Sequence, residues 1–434
     1  MSVWEFALSN LKKEYKKNIG YGIILLAAIL ISFIFNTLIL NSDLVSNDIA
    51  TGGGSWKQVS VPISTGLPFV IVCFSWIMIL YASNYLISKK NQEIALIINS
   101  GGSFIDVTKY IVIQVLIILC IATPIALIIG GFISEKMYQG IYEYLNISIV
   151  PNINYIGSYL NTIGELVPLI IFVGISVAGF SHRNSILDIL GRSEASYPHT
   201  IKSKSKKTII SVILYILGIV MIFSQSHGLL SYIFPVFIGI VGIYGIVKKG
   251  LPRLFKRIIN LKGIEYKNIL VSLSNCGVDI EGTTVLISFI IALASAIIPI
   301  LVSQPVVSNE FVTGLISYFV LVFMLALSIV FKLALYFPVR KQEFINMNKI
   351  GYTRKDIKKI IFQEMFILYT TILILPLPYV LIIGIRFVIY DNLSNNLLII
   401  IITIFASFLI MSMIIAYIMY RKTTLTNWRL ETNE

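Results

Sequence analysis

Gln92-Glu93-Ile94-Ala95-Leu96-Ile97-Ile98-Asn99-Ser100-Gly101-Gly102-Ser103-Phe104-Ile105-Asp106 is answered 250 residues later by Gln342-Glu343-Phe344-Ile345-Asn346-Met347-Asn348-Lys349-Ile350-Gly351-Tyr352-Thr353-Arg354-Lys355-Asp356. The Gln, the Glu, the Gly, the Ser/Thr and the Asp recur in register. Each copy follows basic residues, Lys89 and Lys90 or Arg340 and Lys341. Ile94, Ile97 and Ile98 share one helical face, so Glu93 to Ser100 reads as a helix continuing out of the preceding apolar run. Gly101 is its expected stop, because glycine accepts the left-handed conformation. Ser103-x-x-Asp106 then resembles a capping box, with Asp in place of Glu, that starts the next helix. Thr353-x-x-Asp356 repeats that box. The expected element is a short helix, a sharp corner and a capped long helix, made twice.

The surroundings of these elements are apolar. Of 434 residues, 57% are hydrophobic and only 13% charged, with a mean hydropathy of +0.87. A soluble domain carries roughly 25% charged residues, so a water-soluble enzyme is excluded. Continuous runs of about 20 apolar residues, the length that crosses a bilayer as a helix, occur at 19–40, 66–88, 110–132, 158–181, 209–225, 231–247, 284–304, 312–336, 361–385 and 396–420. The fifth and sixth are the shortest. The expectation is an all-α, polytopic membrane protein of ten transmembrane helices. Its first run is too long for a cleaved leader and lacks a small-x-small site behind it.

Lysine and arginine orient it. With both termini cytoplasmic, 31 of the 34 fall on the inner side, leaving only Lys57, Lys136 and Arg386 outside. This is the positive-inside pattern, and it makes the net charge of +13 a sign of topology and lipid headgroups rather than of nucleic acid. Six spans separate the two copies, an even number, so the halves run parallel, unlike the inverted repeats of many carriers. The reading divides the chain into a first four-helix repeat (1–182), a linker with the fifth and sixth helices (183–262) and a second four-helix repeat (263–434). A weaker match pairs Phe6–Lys13 with the region of Tyr266–Leu270.

Other chemistry is sparse. Without a Gly-Lys dipeptide there is no phosphate-binding loop of the Walker type. His182, His199 and His227 are scattered and Cys73, Cys120 and Cys276 have no metal-ligand spacing, so a metal site is not expected. The three cysteines are expected as free thiols, with Cys276 in a loop. Glu165, Arg386 and Lys332 lie near the ends of their spans, within reach of an interface by snorkelling. Glu165 is nevertheless a candidate for a substrate pathway, because carboxylates snorkel less well than lysine. Gly164, Gly174 and Gly179 are expected to permit close helix contact, whereas Gly130 and Gly131 mark the outer end of the third helix.

At the duplicated element the chain resembles the FtsX-like permeases, membrane subunits of mechanotransmission-type ATP-binding-cassette systems. Glu93, Gly101, Ser103 and Asp106 fit the family pattern, with Gln114 where a Glu often stands; Glu343, Gly351, Thr353, Asp356 and Glu364 fit it again. A 4+2+4 arrangement further resembles the ten-helix bacitracin-export (BceB-like) branch of low-GC Gram-positive bacteria. The resemblance implies a non-enzymatic membrane subunit that works with a separate ATPase, two copies per permease, which binds ATP and Mg. It implies docking of that ATPase at Gln92, Glu93, Ile97, Gly101, Ser103, Asp106, Gln342, Glu343, Gly351, Thr353 and Asp356. It also implies export or removal of an amphipathic peptide or lipid-linked substrate, in antimicrobial-peptide or bacteriocin resistance, with a sensor histidine kinase or second permease as further partners. A non-transporting mechanotransmitter acting on a cell-envelope partner is the alternative. The chain departs from the branch in having about seven residues, Pro305 to Phe311, where a large extracellular domain is expected. The longest outer segments, 41–65 and 133–157, are too short to replace it.

Overall fold

The computed structural model describes residues 3–41, 63–146, 153–183, 205–224, 229–262, 267–302, 308–334, 337–390 and 395–425. Among them the chain is all-helical: α1 (Val3–Lys13), α2 (Tyr15–Ile39), α3 (Ile63–Lys89), α4 (Asn91–Asn99), α5 (Phe104–Tyr144), α6 (Tyr155–Arg183), α7 (Ser205–Ser224), α8 (Leu229–Gly245), α9 (Leu251–Lys262), α10 (Lys267–Val302), α11 (Asn309–Ala334), α12 (Phe337–Lys349), α13 (Arg354–Ile374), α14 (Leu377–Tyr390) and α15 (Asn395–Leu425). A π-helical turn, Ile246–Gly250, joins α8 to α9.

Six of the described helices are long and apolar enough to cross a membrane, over Asn18–Ile39, Gly66–Asn84, Phe104–Tyr144, Tyr155–His182, Asn309–Ala334 and Leu397–Leu425. Their outward faces carry large apolar side chains, among them Ile121, Ile128 and Phe132 of α5, Ile171 and Ile175 of α6, and Ile414 and Ile418 of α15. Water would not tolerate surface of that extent, whereas a bilayer matches it. The other four expected spans are helical without meeting the same measure. The fifth and sixth become α7 and the 17-residue α8. The seventh falls in the second half of α10, whose side chains from residue 290 onward lie outside the described set. The ninth is divided at Leu375–Pro376 into α13 and α14, because Pro376 has no N–H to continue the ladder.

Backbone contacts divide the chain into two compact units. One is Met1–Ala195 with Gln304–Met324, the other Ser196–Ser303 with Leu325–Glu434. Helices α7, α8 and α9 fall in the second of these units. α8 packs along α7 and along α10, and a Cβ at Gly242 would stand 2.5 Å from the Tyr215 backbone nitrogen, so glycine is what lets α7 and α8 approach.

In the first unit α2 is the central helix. Tyr21, Leu25, Ala28, Phe33 and Leu38 are buried against α3, α5 and α6. The glycine that permits close packing here is Gly130, whose Cβ would meet the Phe33 ring at 2.5 Å. Gly164 and Gly179 have nothing within 4 Å of such a position, and Gly174 only Val112 at 3.7 Å, so the expected close contacts through the fourth helix are not made. Nor does the third helix end near Gly131. α5 runs 41 residues to Tyr144, with Tyr138 and Tyr142 buried, so the first half of the expected 133–157 loop is helix. All three cysteines are free thiols, and Cys276 lies within α10 rather than in a loop.

Candidate functional site

The glycine stop and the cap that follows it have the same local geometry in both halves. α4 leaves α3 at Lys90, where the backbone turns to φ −97° and ψ 14°, so it is a separate short helix rather than a continuation. It ends at Gly101, and the second copy ends at Gly351, with φ of +87° and +101°. These are the only described glycines with positive φ, and both are helix stops of the left-handed kind. Ser103 then caps α5: its hydroxyl accepts from the Asp106 N–H at 3.3 Å, and its own N–H donates to the Asp106 carboxylate at 2.9 Å. Thr353 and Asp356 cap α13 at 3.3 and 3.0 Å. Asp serves as well as Glu because the reciprocal bond needs only a carboxylate at the third helical position.

Within each short helix the side chains divide. Ile94 and Phe344 are buried, and Ile97 is half-buried, tying the helix down. Gln92 and Leu96 face outward, as do Asn346 and Ile350 in the second copy. Glu343 is half-buried; the side chain of Gln342 lies outside the described residues. Leu96 on α4 and Ile350 just past the end of α12 are 59% and 78% exposed, at helices too short and too polar to sit in a bilayer core. Exposed apolar side chains on such a projecting corner suit contact with another protein.

Behind each corner stands a buried cation, and here sequence reasoning fell short. Lys90, 1% exposed, forms an ion pair with Glu14, at the joint of α1 and α2, and another with Glu93 at 3.3 Å. Burial, then the hydrogen-bonded Glu14 beside it, pushes the Glu93 carboxyl up to about 7, against the pull of Lys90. In the second copy Arg340, also 1% exposed, pairs with Asp279 at 2.7 Å and with Glu364. It donates as well to the Asn275 carbonyl at 3.0 Å. Asn275 and Tyr420 donate to Glu364 at 3.1 and 3.3 Å, and the Tyr420 ring stacks on Phe337 at 4.3 Å. Burial raises the Asp279 carboxyl, with Arg340 opposing and Glu343 adding to the rise.

The sequence did hold a signal for these anchors. Ala7-Leu8-Ser9-Asn10 is echoed by Ser272-Leu273-Ser274-Asn275, and the same 265-residue offset carries Glu14 onto Asp279. That register, rather than the one near Tyr266–Leu270, is the match the contacts support. Asn10 donates to the Tyr110 hydroxyl at 3.2 Å on α5, and Asn275 to Glu364 on α13. The 250-residue offset also carries Lys90 onto Arg340 and Gln114 onto Glu364. Gln114 is buried and donates to the Ala7 carbonyl at 3.4 Å.

Glu165 does not snorkel. It turns into the first unit from α6 and accepts from Ser32 at 2.5 Å, from Asn36 at 2.8 Å and from the Trp76 indole at 3.4 Å. Asn36 also donates to Thr162 at 3.1 Å. A half-buried carboxylate thus joins α2, α3 and α6, three helices long and apolar enough to cross a membrane. His182, at the end of α6, packs edge-on against Phe104; His199 and His227 lie outside the described residues.

A scan against protein-family models and a search of curated proteins both find no match to the chain.

Proposed function

We propose that this chain is the permease subunit of a mechanotransmission-type ATP-binding-cassette transporter, with two ATPase chains docked on its two cytoplasmic corners. The carrying observation is the duplication itself. Two helix–glycine–capping-box corners, 250 residues apart, each expose apolar side chains and each rest on a buried ion-paired cation. A surface loop that only enforced topology would need charge on its exterior, not a cation sealed beneath it.

In this reading ten helices cross the membrane as two parallel four-helix repeats with an added pair, both termini inside. ATP and Mg belong to the partner. Closure of the ATPase pair pulls on α4 and α12, and the buried ion pairs pass that motion into α1–α2 and α10, a rigid-body transition of the hinge or shear kind. The transported species is an amphipathic peptide or lipid-linked molecule, consistent with the short outer segments and with a polar cradle at Glu165 within the bundle. Antimicrobial-peptide or bacteriocin resistance or export is the corresponding role.

The test is co-purification from the native cells, with native mass of whatever is retained. Leu96→Asp and Ile350→Asp together are a cleaner disruption than reversing Glu93, which would also break the Lys90 pair. One permease with two ATPase chains, lost in the double variant, is the expected result. A chain that purifies alone sinks the proposal.

A further inference from the structure

Beyond its transport reading, the second half of the chain carries a cationic cleft that no part of that mechanism uses. Arg354, the first residue of α13, faces Arg421 and Lys422, near the end of α15, across a cleft of about 340 Å³ whose remaining walls are Tyr417, Ile418 and Leu425. Arg354 and Arg421 are exposed. The cations lie at the ends of their helices, where the apolar span gives way to the basic loops.

From the cleft an apolar strip runs along the same two helices. Ile414 and Ile418 of α15 and Phe362 and Phe366 of α13 are each half or more exposed. Phe362 stacks on Phe366 at 6.1 Å and meets the Tyr417 ring edge-on at 6.0 Å, which fixes that strip against the mouth of the cleft. A guanidinium pair matches the oxygens of a phosphate, and the adjoining strip is membrane-facing surface. Charge and apolar surface meet as they do in an amphiphile with one anionic head.

The first half differs at the corresponding register position. Phe104 stands at the register position of Arg354, and it packs edge-on against His182 at 5.9 Å. Basic residues at a membrane's inner edge are common, but here three cations from two helices converge on one cleft. That convergence argues against a general topology signal.

We propose that this cleft is a binding site for the phosphate of an anionic phospholipid of the inner leaflet, with its acyl chains on the Phe362–Ile418 strip. The strip is what commits the ligand to a lipid rather than to a free phosphate. The reading depends on membrane embedding and orientation, not on the ATPase. It holds even if the docking proposal fails.

Native mass spectrometry of the full chain, offered equal phosphatidylglycerol and phosphatidylcholine in detergent, tests it. Selective retention of phosphatidylglycerol is expected, falling roughly tenfold in the Arg354→Ser/Arg421→Ser variant. Lys355→Ser/Lys359→Ser removes as much charge outside the cleft and should leave retention unchanged. Millimolar glycerol phosphate should not displace the lipid. Equal loss in both variants, no loss in either, or displacement by the soluble phosphate overturns the proposal; so does recovery of wild-type protein with the cleft filled by an ATPase segment instead. Should the arginine variant fail to fold, a photoactivatable phosphatidylglycerol decides on the wild-type chain. Labelling within 362–366 and 414–425 supports the site, and labelling confined to other helices overturns it.

Discussion

Lys90 and Arg340 hold the same place in the 250-residue register, and their surroundings differ by the position of one acid. Each takes one carboxylate from just beyond the Leu-Ser-Asn repeat, Glu14 or Asp279. The second carboxylate of Arg340 comes from Glu364 on α13, fully buried. Gln114 stands at that position in the first half, and Lys90 draws instead on Glu93, its own neighbour on α4. The lysine anchor therefore has one distant and one neighbouring acid and is partly wet, with Glu14 and Glu93 about a fifth exposed. The arginine anchor ties α10, α12, α13 and α15 together and is dry. A planar guanidinium can serve several acceptors at once where an ammonium is a point charge, so the half with more acceptors has the arginine.

The largest effect should come from breaking the drier anchor. Arg340→Met leaves Asp279 and Glu364 buried without a cation and should cost ~3–5 kcal/mol, read as a lowered unfolding midpoint in detergent. Lys90→Met should cost less, about 1–3 kcal/mol, because its acids can reach water. Equal losses would dissolve the distinction between the two halves.

Acidity sharpens the same comparison. Glu93 is raised from 4.5 to about 7 in the folded chain. Between those values the folded state keeps a proton that the unfolded state has released, so stability falls as pH rises through that window. Glu93→Gln should flatten that part of the profile in pH-dependent unfolding. Asp279, also raised, gives a second decline of the same sign, which Glu93→Gln should leave in place.

The corners themselves carry the smallest effects. Gly351→Ala and Gly101→Ala meet no neighbour but force a side chain into positive φ, at ~1–2 kcal/mol each. Ser103→Ala and Thr353→Ala should each cost about 1 kcal/mol through the lost cap. Similar losses at the two corners would mark them as one device made twice, in contrast to their unlike anchors.

What could be read from the sequence was what acts over three or four residues. Gly101, Gly351 and both capping boxes are local chemistry, and the structure has each where the spacing predicts it. Lys90 and Arg340 looked like topology charges because their partners lie 76 and 61 residues away. Glu165 looked like a snorkelling end for the same reason, since Ser32, Asn36 and Trp76 come from other helices. The segment from 133 onward counted as outer because its apolar run had ended; Tyr138 and Tyr142, buried against neighbouring helices, prolong α5 to Tyr144 instead. Pro376 and Pro378 lie within the ninth apolar run, where a count of apolar residues passes over them. Hydropathy measures the preference of a segment for lipid, and it is silent on where a helix breaks.

Photo-cross-linking in native membranes, with a reactive side chain placed in turn at Leu96 and at Ile350, is the most direct test of ATPase docking. The account predicts that both positions label the same ATPase polypeptide, each losing the label when its neighbouring glycine corner is altered. Labelling of lipid alone, or of two unrelated proteins, would contradict it.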